Sequence, residues 1–322
     1  MAFTYHSIGF VGLGIMGLPM LENLLKTLPG SPQFYVYDVS RPQVDALVAQ
    51  YADRVEACQN AREVADKSSI VLSMVPEGSH VRAVYLTPDT GVLAADVAHK
   101  LLIDCSTIDT ATSLRVREQA LARHPSAAFY DAPVSGGQLG AQRATLTFML
   151  GCAPRDPNLP RLQDLLGRMG AAVFPCGGPA LGLTAKLCNN YCSGLIAIAT
   201  AEAMNIGIAA GMDPRILKDI FHTSTAQSAI LDKWCPVPGI VPGIPSSNGY
   251  QGGFKVQLMR KDFGLAVDTA KRLGVTLVLG DPGLATYTGA MNDPRCRDLD
   301  SRVVYRYLGG RDDWKKDFDD VD

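Results

Sequence analysis

Lys186 and Asn190 stand four residues apart in a stretch of helical periodicity, so they share one face, a turn apart. A lysine at the start of an apolar helix, beside a glycine-rich loop, has its charge disfavoured by burial, and the neutral amine can accept a proton. The Asn190 amide can hold that amine or a nearby oxygen. Such an acceptor suits a reaction in which a hydroxyl gives up its proton while hydride leaves its carbon. From the residues alone, the same pair reads equally well as a snorkelling lysine beside a helix-surface asparagine. Ser135-Gly136-Gly137 follows a strand ending in Asp131-Ala132-Pro133-Val134. Two glycines after a strand expose backbone amides that can bind a carboxylate, and the Ser135 hydroxyl adds a donor. An ordinary turn has the same composition.

A second constellation lies at the other end of the chain. Ser7–Val11 reads as a strand and runs into Gly12-Leu13-Gly14-Ile15-Met16-Gly17, after which an apolar-periodic helix begins. Gly12 permits a tight turn, Gly14 lets the backbone approach a pyrophosphate, and Gly17 lets helix and strand pack closely. The amides of Ile15, Met16 and Gly17 then face the phosphates, with the helix dipole favouring the anion. The next strand ends at Asp38, whose carboxylate can accept the ribose hydroxyls of NAD and repel a 2′-phosphate. Arg41 is placed to soften that preference.

The elements that must position these residues alternate in the first half of the chain. Candidate strands are Ser7–Val11, Gln33–Tyr37, Ile70–Val75, Leu101–Cys105, Ala128–Ala132, Leu146–Leu150 and Ala172–Pro175, with helices such as Met16–Thr27, Pro42–Tyr51 and Thr110–Arg123 between them. That order predicts a parallel sheet, and the nearly continuous apolar run Ile70–Val75 predicts burial on both faces. From Ala180 to Ala210 the chain reads as one helix of about 45 Å at ~1.5 Å per residue. Asp213 then caps a new helix with Pro214 at its first position. Cys235–Gly253 reads as a Pro- and Gly-rich loop, and helices resume at Phe254–Leu273, Pro282–Asn292 and Ser301–Leu308, with a polar tail expected to fray from Arg311. The expected architecture is an α/β Rossmann-type N-terminal domain over residues 1–178, a long interdomain helix, and an all-α C-terminal domain, residues 179–322 including that helix.

Composition excludes several classes. The chain has 322 residues, 47% hydrophobic and 19% charged, with a net charge of −2. It is too core-rich for a disordered protein and offers no basic surplus for nucleic acid or an anionic membrane surface. The weakly charged stretch 187–211 carries Glu202 and Asn205 and reads as a buried helix, not a membrane span. Eight cysteines include no Cys-x-x-Cys and read as mostly buried thiols, with Cys188 and Cys192 packing from one helix face. No metal site is expected.

Gly12–Gly17 with Leu18-Pro19-Met20, Asp131–Gly137, Gly182-Leu183-Thr184-Ala185-Lys186-Leu187-Cys188-Asn189-Asn190 and Lys261-Asp262-Phe263-Gly264-Leu265-Ala266 together resemble the β-hydroxyacid dehydrogenase family over nearly the whole chain. The resemblance implies NAD as cofactor, Lys186 and Asn190 as catalytic residues, and Ser135, Gly136, Gly137 and Asp262 as contacts for the substrate. It also implies nicotinamide-ribose contacts at Val75, Pro76, Thr107 and, one turn on, His80, with Lys261 on the cofactor. Pro236-Val237-Pro238-Gly239 and Asn248–Phe254 most resemble the 3-hydroxyisobutyrate dehydrogenases of that family, which implies oxidation of (S)-3-hydroxyisobutyrate to methylmalonate semialdehyde. Thr225-Ala226-Gln227 and Cys235 depart from that subfamily's pattern, which leaves a reductase of a related semialdehyde such as tartronate semialdehyde as the alternative. A non-catalytic, cofactor-sensing module is the rival of another class, and Lys186 speaks against it. The family implies the mitochondrial matrix, while residues 1–7 show no presequence and leave a cytoplasmic location open. The apolar helix Leu195–Gly211 implies a homodimer or homotetramer.

Overall fold

The computed structural model describes residues 3–318, which fall into two compact units divided between Lys186 and Leu187. In the first unit six strands form one parallel sheet: β1 (Ser7–Val11), β2 (Gln33–Tyr37), β3 (Val55–Ala57), β4 (Ile70–Ser73), β5 (Leu101–Asp104) and β6 (Ala128–Asp131), in the order β3-β2-β1-β4-β5-β6. This is the doubly wound order, whose ligand crevice opens where strand order reverses, beyond the carboxyl ends of β1 and β4. The register sets Tyr37, Val11, Ser73, Asp104 and Asp131 in one row across those ends. A three-stranded sheet follows, β7 (Val134–Ser135), β8 (Leu146–Leu150) and β9 (Gly170–Pro175), with β7 antiparallel and β9 parallel to β8.

Alternation along the strands loads both faces. Ile8, Phe10, Phe34, Leu72 and Ile103 enter one apolar cluster, while Val71, Leu102 and Phe129 enter the other. The helix Gly17–Thr27 closes the first face through Met20, Leu21, Leu24 and Leu25, each buried side chain contributing on the order of 1.5–3 kcal/mol. Thr110–Arg123 covers the second, its start set by the Asp109 carboxylate, which accepts the Thr112 amide at 2.7 Å.

The second unit is helical: the rest of the long helix Leu181–Ala209, then Pro214–Thr223, Ala229–Trp234, Val256–Leu273 and Gly280–Asn292, with shorter turns. The Asp213 side chain accepts the Arg215 amide, the cap its sequence predicts. Phe263 and Tyr287 centre its core, and the Tyr287 hydroxyl donates to the Gly194 carbonyl at 2.9 Å.

Several expectations need correction. β3, β7 and the helix Ala229–Trp234 were not expected; two- and three-residue strands carry too little alternation to be seen. The tail beyond Arg311 does not fray as far as Phe318, because Trp314 is fully buried and its indole donates to the Pro238 carbonyl at 2.8 Å; residues 319–322 lie outside the described residues. Cys188 and Cys192 are exposed, not packed. The buried stripe of the long helix runs through Leu183, Lys186, Leu187, Asn190, Gly194, Ala197 and Ala201, and both thiols fall on the opposite side. The helix is also less covered than its composition predicts, with Ile206 71% exposed.

Candidate active site

Every first-unit residue expected to hold the cofactor sits just past the row of strand ends. Gly12 has φ +95°, and a Cβ there would overlap the Met74 carbonyl oxygen; a Cβ on Gly17 would overlap the Gly12 carbonyl oxygen. Both positions therefore require glycine. Around Gly14 the opposite holds, with no atom within 4 Å of where a Cβ would be. That open face is the room a pyrophosphate needs. The helix Gly17–Thr27 has no acid in its first turn and no side-chain cap; the Leu18 amide donates to the Gly14 carbonyl at 3.1 Å and Pro19 has no amide hydrogen, so an anion would be met by the amides of Ile15, Met16 and Gly17. Ile15 is exposed at the turn and Met16 half-buried behind it.

Asp38 is locked to this turn. Its Oδ2 accepts the Leu13 amide at 2.6 Å and its Oδ1 the Ser40 amide at 2.7 Å. The carboxylate is thereby fixed beside the glycine loop, half-buried, where a ribose would lie. Arg41 instead pairs with Asp45 at 3.0 Å on the surface. These features fit a dinucleotide.

Across the crevice, the loops after β4 and β5 are tied together. The Val75 amide donates to Ser106 Oγ at 2.9 Å, and Ser106 Oγ donates to Asp104 Oδ1 at 2.6 Å. Ser73 Oγ donates to the same carboxylate oxygen at 2.8 Å and pairs with the Tyr85 hydroxyl at 2.9 Å. This tie sets Val75 and Pro76 beside Ser106 and half-buried Thr107. His80 is exposed in the first turn of Gly78–Leu86. Sequence reasoning missed Asp104, Ser73 and Ser106. The available signal was the acid closing an apolar strand, Leu101-Leu102-Ile103-Asp104, followed by Cys105-Ser106-Thr107. Burial pushes the Asp104 carboxyl up to about 6, against the lowering effect of its hydroxyl and amide donors.

Ser135 ends β7, and Gly136 and Gly137, at φ +135° and +61°, turn the chain so that its backbone is exposed. From the neighbouring end of β6, the buried Asp131 carboxylate reaches the start of the long helix, where Oδ1 accepts the Ala180 amide and Oδ2 the Leu183 amide, each at 2.8 Å. Lys186 follows one turn later and is only 8% exposed, which removes the solvent-facing alternative.

In the second unit Asn190, 6% exposed, donates from Nδ2 to Asp262 Oδ2 at 2.6 Å. Asp262 is buried, and Lys261 Nζ lies 3.1 Å from its Oδ1. The asparagine amide orientation is thus set by a carboxylate 72 residues away in sequence.

Residues 7–178 match the NAD binding domain of 6-phosphogluconate dehydrogenase, and residues 180–308 match the NAD-binding domain of NADP-dependent 3-hydroxyisobutyrate dehydrogenase. The chain is 37% identical over 306 residues to a 3-hydroxyisobutyrate dehydrogenase of Pseudomonas aeruginosa, covering 95% of this chain and 99% of that one. It is 38% identical over 280 residues to an NAD-dependent L-serine dehydrogenase of the same organism, covering 87% and 90%. Among solved structures it is similar to Mycobacterium tuberculosis 3-hydroxyisobutyrate dehydrogenase with L-serine, at 33% identity and a TM-score of 0.85 over 95% of this chain and 99% of that one. With a dinucleotide-shaped edge and matches along nearly its whole length, the chain belongs to the β-hydroxyacid dehydrogenase family, the NAD(P)-dependent oxidoreductases that include the 3-hydroxyisobutyrate dehydrogenases.

Proposed function

We propose that the chain oxidises (S)-3-hydroxyisobutyrate to methylmalonate semialdehyde, with Lys186 as the proton acceptor. The observation that carries this reading is Lys186 itself, a buried lysine one turn into the long helix, with Asn190 a turn beyond. Bound NAD supplies the hydride acceptor. The residues that would hold it are the amides of the Gly12–Gly17 turn for the pyrophosphate, Asp38 for a ribose, and Val75, Pro76, Thr107, His80 and Lys261 toward the nicotinamide. The exposed backbone at Ser135, Gly136 and Gly137 takes the substrate carboxylate. As the carbinol C–H bond breaks, the hydroxyl proton passes to the Lys186 amine, so one hydride and one proton leave and a carbonyl remains. Asn190, oriented by Asp262, holds the oxygen or the amine in line.

L-serine is a second reading, because a relative of equal identity carries that activity in its name and a similar solved structure contains it. Both compounds carry the hydroxyl on the carbon β to a carboxylate. A panel of 3-hydroxy acids, including both compounds, assayed by NADH absorbance separates the readings. The highest kcat/KM is expected for (S)-3-hydroxyisobutyrate, and a higher value for L-serine replaces that assignment with serine dehydrogenation.

A second copy of the chain is proposed to pack against the apolar helix segment Leu195–Gly211, where Ile206 is exposed. Light scattering is expected to give a species heavier than the 34.4 kDa chain, and a monomer alone would remove this proposal.

A further inference from the structure

Asp131 supplies what the long helix lacks at its own start. The helix Leu181–Ala209 has no acid in its first turn, and its first amides have no partner within the helix. They are met by a buried carboxylate 49 and 52 residues upstream, through Ala180 to Oδ1 and Leu183 to Oδ2, with the Gly182 amide adding to them. Two glycines leave room for it. A Cβ on Gly182 would come within 2.8 Å of Asp131 Oδ2, and a Cβ on Gly151 would overlap the carboxylate. The arrangement is specific to an acid with two acceptor oxygens, because both are used.

Two functional segments diverge from this one residue. Leu183, held by Oδ2, precedes Lys186 by one helical turn. In the other direction the chain passes through Ala132-Pro133-Val134 into Ser135-Gly136-Gly137. We infer that Asp131 is a positioning residue that holds Lys186 at a set distance from the Ser135–Gly137 turn, and so sets the hydroxyl-to-carboxylate spacing of the substrates that are oxidised. The inference rests on Lys186 being the proton acceptor.

Asp131→Asn keeps the side-chain shape but loses one acceptor. In the full-length protein it is expected to lower kcat by about tenfold to a hundredfold, the usual consequence of a misplacement near 1 Å. The Kd of NAD should stay within about twofold, since the glycine turn and Asp38 are untouched. The kcat/KM ratio of (S)-3-hydroxyisobutyrate over 4-hydroxybutyrate, whose hydroxyl is one carbon farther from the carboxylate, should fall toward one. A purely structural Asp131 would lower the thermal midpoint while leaving kcat and that ratio at wild-type values in the folded fraction, and this result overturns the inference. Should Asp131→Asn not fold, Asp131→Glu keeps the charge and pushes the helix start outward, and the same losses are expected; wild-type kinetics there are equally decisive. Lys186→Ala is assayed alongside. If it stays active, the proton-acceptor reading falls; if it is inactive while the Asp131 variants match wild type, only the positioning role falls.

Discussion

Asp104 and Asp131 close neighbouring strands, paired in register at the same level of the sheet, yet their surroundings differ. Both oxygens of Asp131 accept backbone amides at the start of a 29-residue helix, whose dipole favours the negative charge. Asp104 gathers the Ser73 hydroxyl and the Ser106 hydroxyl and amide on Oδ1, while its buried Oδ2 has no hydrogen-bond partner. One carboxylate is fully used as an anchor. Burial raises both carboxyls, against the backbone amides that lower Asp131, and the half-used Asp104, near the anchor's charge, is pushed up to about 6. Equal register therefore does not mean equal chemistry: what each acid does is decided by which donors face it.

The largest stability effect should come from the anchor. Asp131→Ala strands two helix-start amides in a buried setting, a loss of about 2–6 kcal/mol at ~1–3 kcal/mol for each orphaned group. Urea unfolding of the full chain measures it, and a loss no greater than that of Asp104→Asn would break the contrast.

The next effect concerns the half-used acid. Because its folded pKa of about 6 lies above the ordinary 3.8, Asp104 contributes stability that is complete below pH 3.8 and is lost as pH rises through 6. The loss at neutral pH is about 3 kcal/mol at ~1.4 kcal/mol per pKa unit. Asp104→Asn stays neutral throughout. Its thermal midpoint should therefore gain on wild type between pH 4 and pH 8; a difference that is flat with pH contradicts the assignment.

The smallest effect on stability is expected at Gly14, on the same edge but with no carboxylate. Gly14→Ala should leave stability unchanged or raise it by up to ~1 kcal/mol, since its Cβ meets nothing. The Kd for NAD should nonetheless weaken by about tenfold, or ~1.4 kcal/mol, because that space is where the pyrophosphate approaches. Titration by protein fluorescence reads both quantities, and unchanged NAD affinity would place the phosphates elsewhere.

The same contrast explains what could be read from the sequence. Gly12, Gly14, Gly17 and Asp38 are linked by short spacings and a local strand–turn–helix pattern, so the cofactor edge was legible. Lys186 and Asn190 were visible as a helical pair, although only the family resemblance favoured a catalytic role. Asp131 was seen within its motif, but its partners lie 49 and 52 residues away, and no local pattern points to them. Asp104, Ser73 and Ser106 were missed for the same reason, since their network bridges 31 residues between strands. The exposed side of the long helix was misread because apolar residues surround it and hide the inward stripe. Trp314 was missed because a single anchor in a polar tail leaves no period to detect.

The role proposed for Lys186 is to take the hydroxyl proton. Single-turnover NADH formation by Lys186→Ala, beside NAD titration of the same variant, tests it most directly. The chemical step is expected to slow by roughly 10² to 10⁴ with NAD binding retained. Turnover within about threefold of wild type, far short of what a positioned acid–base group contributes, would contradict it.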